Sequence, residues 1–222
     1  MLTIMKALVV GATGLVGQTL VSQLIENSQY DSVHVIARTP QPQKQERLHW
    51  HALPEFAGIH ALKGSFSVDH VYCCLGTTMA KAKSREAFCR VDRDYVVQVA
   101  KFGLDVGASK FLLVSSLGAN SQSRVFYNRI KGQVEDIISK LPYKTIGIFR
   151  PSVLKGQRAE RRPLERLSYI FLPILNVLAF NLIRSYLPVE GARVAKAMQD
   201  LALSDQTGVV IVESKQIQTA HF

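Results

Sequence analysis

The sequence predicts an α/β fold built on one parallel sheet, doubly wound, with helices on both faces. Three observations carry this reading. Apolar runs of strand length alternate along the chain with longer segments of helical periodicity. The runs are rich in Val, Ile and Leu, as strands buried on both faces require. The first run passes through closely spaced glycines straight into the first helical pattern.

The elements follow in order. Residues 5–10 (MKALVV) read as a buried strand, and Leu15, Val16, Leu20, Val21, Leu24 and Ile25 mark one broad face of the helix after it. Residues 33–37 (VHVIA) are a second strand, 39–47 a polar loop containing proline, and 48–53 a short third strand. Residues 70–75 (HVYCCL) are a fourth, ending at Gly76, Thr77 and Thr78. One long helix is expected over 84–107, then a strand at 110–115 (KFLLVS), a helix at 124–140 and a strand at 143–149 (YKTIGIF). A helical pattern over 191–203 and a strand at 208–213 close the chain.

A chain of 222 residues, 47% apolar and 20% charged, fits a single domain over 1–222, with 155–190 as a lid or insertion of helical character. At this size folding buries roughly 70% of the unfolded surface, so no metal or disulfide staple is required. The 3 cysteines, Cys73, Cys74 and Cys89, make no spaced framework, and two sit together in an apolar strand. With no signal-peptide pattern at the start, a reducing, cytoplasmic setting is expected. The net charge of +10 allows nucleic acid, an anionic membrane or acidic ligands. Its one local cluster, Lys155, Arg158, Arg161, Arg162 and Arg166, has no aromatic interleaving, helix-turn-helix or zinc spacing, which argues against nucleic acid.

Gly11-x-x-Gly14-x-x-Gly17, set between a strand and a helix, has the build of a phosphate-binding turn. Gly11 permits the turn, Gly14 lets the backbone approach a pyrophosphate, and Gly17 lets helix and strand pack closely, so a Rossmann-type sheet is expected. Arg38 ends the second strand 21 residues past Gly17, where an NAD-selective site places an acid. A guanidinium there suits a 2′-phosphate, which favours NADP(H) over NAD(H). Tyr127 and Lys131 share a helical face at i, i+4, where an ammonium stabilises the phenolate and makes the tyrosine a usable acid or base. Ser115 and Ser116 end the preceding strand and offer a hydroxyl to the same cavity.

Taken together, GATGLVG, CCLGTT, VSSLGA, the Tyr127/Lys131 spacing and FRPSVL resemble the short-chain dehydrogenase/reductases. More narrowly, they resemble the atypical branch that contains the Tat-interacting oxidoreductase and its bacterial relatives. The resemblance covers residues 5–155 strongly and the rest weakly. It implies that Gly11, Thr13, Gly14, Leu15 and Val16 hold the pyrophosphate and that Arg38 meets the adenosine phosphate. It implies that Leu75, Gly76 and Thr77 lie along the cofactor, and that Pro151, Ser152 and Val153 contact its nicotinamide end. Tyr127 is then the acid/base, Lys131 binds the nicotinamide ribose, and Ser116, with Ser115 as the alternative, orients the substrate carbonyl.

The resulting expectation is an NADP(H)-binding oxidoreductase acting on a carbonyl or alcohol of an unspecified small molecule. Two rivals are a non-catalytic NADP(H) sensor that binds a protein partner, and a membrane-peripheral reductase of a lipid or quinone. Residues 167–183 (LSYIFLPILNVLAFNLI) carry no charge but fall short of the about 20 apolar residues of a membrane span. They read first as a lid over the substrate cleft, and as the alternative an interfacial element making peripheral membrane contact through 160–187. A homodimer is carried only by the resemblance. His49 and His51 alternate on one strand without a third ligand, so no metal site is expected.

Overall fold

Strands made of Val, Ile, Leu and aromatic residues need cover on both faces, and only a sheet between two helical layers provides it. The computed structural model, which describes residues 4–39, 45–54, 56–155 and 187–219, contains such a sheet of seven strands, each paired in parallel with its neighbours. These are β1 (Met5–Val10), β2 (Tyr30–Ala37), β3 (Leu48–Ala52), β4 (His70–Cys73), β5 (Lys110–Val114), β6 (Thr145–Arg150) and β9 (Gly208–Glu213). Their order is β3-β2-β1-β4-β5-β6-β9. A separate parallel pair joins β7 (Leu154–Lys155) to β8 (Val189–Glu190).

Alternation along each strand divides the core in two. Leu8, Val71, Phe111 and Ile148 face α4 (Val96–Asp105) and α5 (Phe126–Ile138), meeting Val99, Phe102 and Val134. Val9, Tyr72, Leu112 and Phe149 face α1 (Leu15–Glu26) and α6 (Gly191–Leu203), meeting Leu20, Leu24 and Met198. Each of these side chains is withdrawn from water almost completely, worth about 1.5–3 kcal/mol apiece before chain entropy is set against it. In α1, Val16, Leu20, Val21 and Leu24 are buried and Leu15 and Ile25 half-buried, the broad apolar face expected.

The last helix and last strand occupy the expected residues, Gly191–Leu203 and Gly208–Glu213. The helix expected over 84–107 instead has three parts: α3 (Arg85–Cys89), a π-helical turn over Arg90–Tyr95, and α4. Wide turns of this kind re-aim side chains, and this one carries Asp92 inward. The strands expected to end at 75 and 115 stop at Cys73 and Val114, where the chain turns out of the sheet. A 3₁₀ segment (Phe56–Leu62), α2 (Met79–Ala82), the β7/β8 pair and α7 (Ser214–Thr219) were not foreseen. The apolar segment 167–183, most of the 155–190 lid and the arginines 158–166 lie outside the described residues. Among the described residues no helix is long and apolar enough to cross a membrane.

Two sets of imidazoles are packed into this framework. His70, 1% exposed, has Nδ1 2.8 Å from the Tyr30 hydroxyl, which is itself 2.6 Å from that of Tyr72. His34 stacks against His49, His51 and Phe66, with its Nδ1 3.0 Å from His51 Nε2. Among the described residues no group of three or more His, Cys, Asp or Glu could hold a metal ion. Burial pushes the pKa of both His34 and His70 down to about 4, with His51 adding to the effect at His34 and Lys110 at His70.

The sign of the resulting pH dependence follows directly. Near pH 6.5 the unfolded chain takes up protons that the folded chain refuses until about 4. Stability is therefore complete above pH 6.5 and is lost as pH falls towards 4. For the nearly inaccessible His70 this linkage is of order 3 kcal/mol. Urea titrations from about pH 7.5 to 5, read by the lone tryptophan Trp50, should show this decline, and His70→Gln should make it shallower while leaving the share of His34. A slope unaltered in the variant would disprove the assignment.

Candidate active site

Register brings the functional segments level. Val10 pairs with both Ile36 and Cys73, Cys73 with Leu113, and Leu113 with Ile148. The exits of β1, β2, β4, β5 and β6 therefore share one edge of the sheet. Strand order reverses between β1 and β4, and a crevice opens beyond the carboxyl ends at such a reversal.

The glycine turn lies in that crevice. Gly11 has φ +88°, and a Cβ on it would lie 2.5 Å from the Cys74 carbonyl oxygen. A Cβ on Gly17 would lie 2.2 Å from the Gly11 carbonyl oxygen, so side chains are excluded at both positions. Gly14 N–H donates to the Gly11 carbonyl at 3.0 Å and closes the turn. Gly14 also caps α1, with no side chain capping the helix and no acid in its first turn. The amides of Leu15 and Val16 and the positive end of the helix dipole are thus left for an anion, beside exposed Thr13. Bare backbone at a helix start fits a dinucleotide pyrophosphate. Arg38 stands on the far side of the crevice, exposed and without an ion pair among the described residues.

The near side is built by the exit of β4 and by α5. Residues 127, 131 and 135 share one helical face, and each has a distinct environment. Lys131 Nζ lies 2.8 Å from Asp92 Oδ1, with the two side chains 6% and 0% exposed. Burial opposes the Lys131 charge, but Asp92 and then Tyr127 outweigh it and leave the ammonium pKa raised. The other Asp92 oxygen accepts the Thr77 amide at 2.8 Å. A Cβ on Gly76 would come within 3.5 Å of Asp92 Oδ1 and 3.8 Å of Lys131 Nζ, so this glycine lies directly against the ion pair. Tyr127 is half-buried, its ring centroid 5.7 Å from that of Phe88.

The two serine candidates part company. Ser115 is buried and donates to Glu135, whose carboxylate is also held by Arg150 Nε at 3.2 Å to both oxygens. Arg150 reaches on to Glu213 at 2.9 Å. Ser116 is half-buried and among the described residues its hydroxyl makes only a local 3.3 Å bond to the Leu117 carbonyl, so it stands outside the Glu135–Arg150 clamp. The Pro151 carbonyl accepts Leu117 N–H at 2.9 Å, which ties the exits of β5 and β6 together. The Ser152 hydroxyl is engaged by the Leu187 carbonyl, and Val153 is exposed beside β8.

The structure thus gathers Gly11, Gly14, Leu75, Gly76, Thr77, Tyr127 and Lys131 around one crevice, with Arg38 across it and Ser116 at the β5 exit. Sequence reasoning missed Asp92, Glu135 and Arg150. The one available signal was an acid at 92 within a helical pattern whose inner positions are otherwise apolar.

Comparison with known proteins agrees with this geometry. Residues 7–128 match the NAD dependent epimerase/dehydratase family. The rat protein HTATIP2 is 34% identical over 171 residues, covering 73% of this chain and 68% of its own. Protein FMP52, mitochondrial, of Eremothecium gossypii is 33% identical over 216 residues, 96% of each chain. The Bordetella bronchiseptica enzyme WbmH, solved in complex with NAD+, superposes with a TM-score of 0.69 at 15% identity, covering 95% of this chain and 76% of its own. That likeness concerns the fold. The expected cytoplasmic location is overturned, because fungal relatives at 28–33% identity are named mitochondrial. A glycine turn at the sheet's reversal point, in a chain matched from β1 into α5, places this protein in the NAD dependent epimerase/dehydratase family.

Proposed function

We propose that the protein is an NADP(H)-dependent oxidoreductase that interconverts a carbonyl and an alcohol on a small molecule. One observation carries the reading: a buried ammonium, Lys131, set by Asp92 against Gly76 and one helical turn from Tyr127. The dinucleotide, when bound, supplies or accepts the hydride at the reacting carbon. The amides of Leu15 and Val16 would hold its pyrophosphate, with Gly76 and Thr77 along its length. In reduction, the Ser116 hydroxyl donates a hydrogen bond to the carbonyl oxygen and orients it. Tyr127 then gives its Oη proton to that oxygen as the alkoxide forms, and recovers a proton from solvent after product leaves. Lys131 stabilises the phenolate left behind, and Asp92 keeps the ammonium charged and in place.

The preference for a phosphorylated dinucleotide rests on Arg38. Replacing it by glutamate should weaken NADPH binding about 10–100-fold and leave NADH within about twofold, by calorimetry. Equal losses for both nucleotides would reject the 2′-phosphate contact.

Tyr127→Phe should lower kcat about 10²–10⁴-fold while NADPH affinity changes less than about twofold. Undiminished turnover would remove the tyrosine from the chemistry. Tight NADPH binding by the wild type with silence across a broad carbonyl panel would remove the catalysis altogether.

Asp92→Asn leaves the buried ammonium without its counter-charge, which costs about 3–5 kcal/mol of stability and lowers the Lys131 pKa. The alkaline limb of the kcat–pH profile should move to lower pH in this variant. A profile that does not move, despite the stability loss, would reduce Asp92 to a packing role.

A further inference from the structure

On the flank of α3 and the π turn, beside the start of α5, an open groove of about 490 Å³ holds more positive charge than its neighbours neutralise. Arg85, Arg90 and Arg93 line it with Cys89 and Phe126, and the carboxylates present are those of Glu86 and Asp94. Asp94 is taken by Arg93, Nε to Oδ1 at 2.8 Å. The Glu86 carboxylate is held first by its own amide and by Ser84 at the start of α3, with Arg85 contributing least. Arg85 and Arg90 form no ion pair among the described residues, and neither does Arg129 beside them.

Two of these guanidiniums are held in place, Arg85 in the groove and Arg129 beside it. Arg85 and Arg129 approach the same Phe126 ring, with Cζ 5.1 and 5.9 Å from its centroid. Arg129 Nη1 also donates to the carbonyls of Ser123 and Arg124 at 2.8 and 3.3 Å. An ordinary solvated face keeps like charges apart on mobile stems. Here the ring holds Arg85 and Arg129 together and the carbonyls fix Arg129, so the ordering cost of meeting an anion is met in advance for these two.

We infer that this groove binds a phosphate-bearing anion, at a site separate from the glycine turn of residues 11–17. Planar guanidiniums match phosphate oxygens two at a time, and the groove has room for a diphosphate with its water. A soluble phosphate compound and a lipid headgroup share this chemistry. The lipid source has one feature in its favour, the 58% exposed Val125 at the edge of the cluster.

Cys89 makes the site measurable: it is half-buried in the groove, Cys73 is fully buried, and Cys74, half-buried at the β4 exit, lies outside the groove. In the full chain, a doubly anionic aromatic disulfide should modify Cys89 about tenfold faster than a neutral dipyridyl disulfide, relative to their rates with free thiol. Inorganic pyrophosphate should slow the reaction saturably, chloride at equal ionic strength should not, and Cys89→Ser identifies the signal. Arg85→Gln with Arg90→Gln should abolish both effects. If neither reagent reaches Cys89, equilibrium dialysis decides: pyrophosphate stoichiometry should fall by one in the double variant. Sedimentation with vesicles containing phosphatidylglycerol, but not pure phosphatidylcholine, would identify the headgroup as the source. Pyrophosphate protection without sedimentation would identify a soluble phosphate. Protection no better than chloride, or protection and dialysis stoichiometry both unaltered in the double variant, overturns the site. Tyr127, Lys131 and residues 11–17 are untouched throughout, so this result stands or falls separately from the oxidoreductase reading.

Discussion

One buried ion pair, Lys131 with Asp92, constrains most of what surrounds it. Neither group reaches water to any extent, so each loses several kcal/mol of hydration that only good geometry can return. Asp92 must therefore point inward, and the π turn over Arg90–Tyr95 is the local distortion that lets it do so. Its second oxygen takes the Thr77 amide, which couples the exit of β4 to the same pair. Gly76 has no side chain to separate that exit from the ammonium. Helix, turn and loop are thereby set relative to one another at one point.

A second clamp acts further along the same helical face. Glu135 accepts from Arg150 of β6 and from Ser115 at the end of β5, and Arg150 reaches Glu213 of β9. Gly132, between the two charged positions, is pressed so closely on the chain at Asn120 and Ser121 that any Cβ would collide with backbone. The start of α5 can therefore neither rise from the sheet edge nor turn about its axis without breaking one of these contacts. That rigidity suits the role proposed for the phenol of Tyr127 on its first turn.

Much of this was legible in the sequence, and the boundary has a physical cause. The strands, the glycine turn and the faces of α1 and α6 follow from local periodicity and from steric rules that act over a few residues. Tyr127 and Lys131 were legible because a helix brings i and i+4 together without help from the rest of the fold. Asp92 was not, because its partner lies on another element and its inward aim depends on a turn that no local propensity announces. The same reason separates Ser115 from Ser116. Adjacent hydroxyls look equivalent until Glu135, on a different element, is seen to engage one of them. The π turn also explains why 84–107 reads as one helix: its periodicity differs from an α-helix by a single residue, too little to show in a short pattern.

The pair is also hard to account for as a stabilising device. Well-packed apolar residues in place of a buried lysine and aspartate are commonly as stable or more so, because they carry no desolvation cost. A chain under pressure for stability alone would be expected to bury leucine at 131, as it does so freely in α1. Instead it keeps an ammonium under an exposed glycine, raises its pKa with a carboxylate, and places it next to a tyrosine at the reversal point of the sheet. Charge held at such cost beside a crevice is characteristic of sites where a proton moves or an anionic ligand rests. The glycine turn needs only backbone to bind phosphate, so it costs the fold little. Lys131 is where stability is given up, and its position argues that the return is chemical.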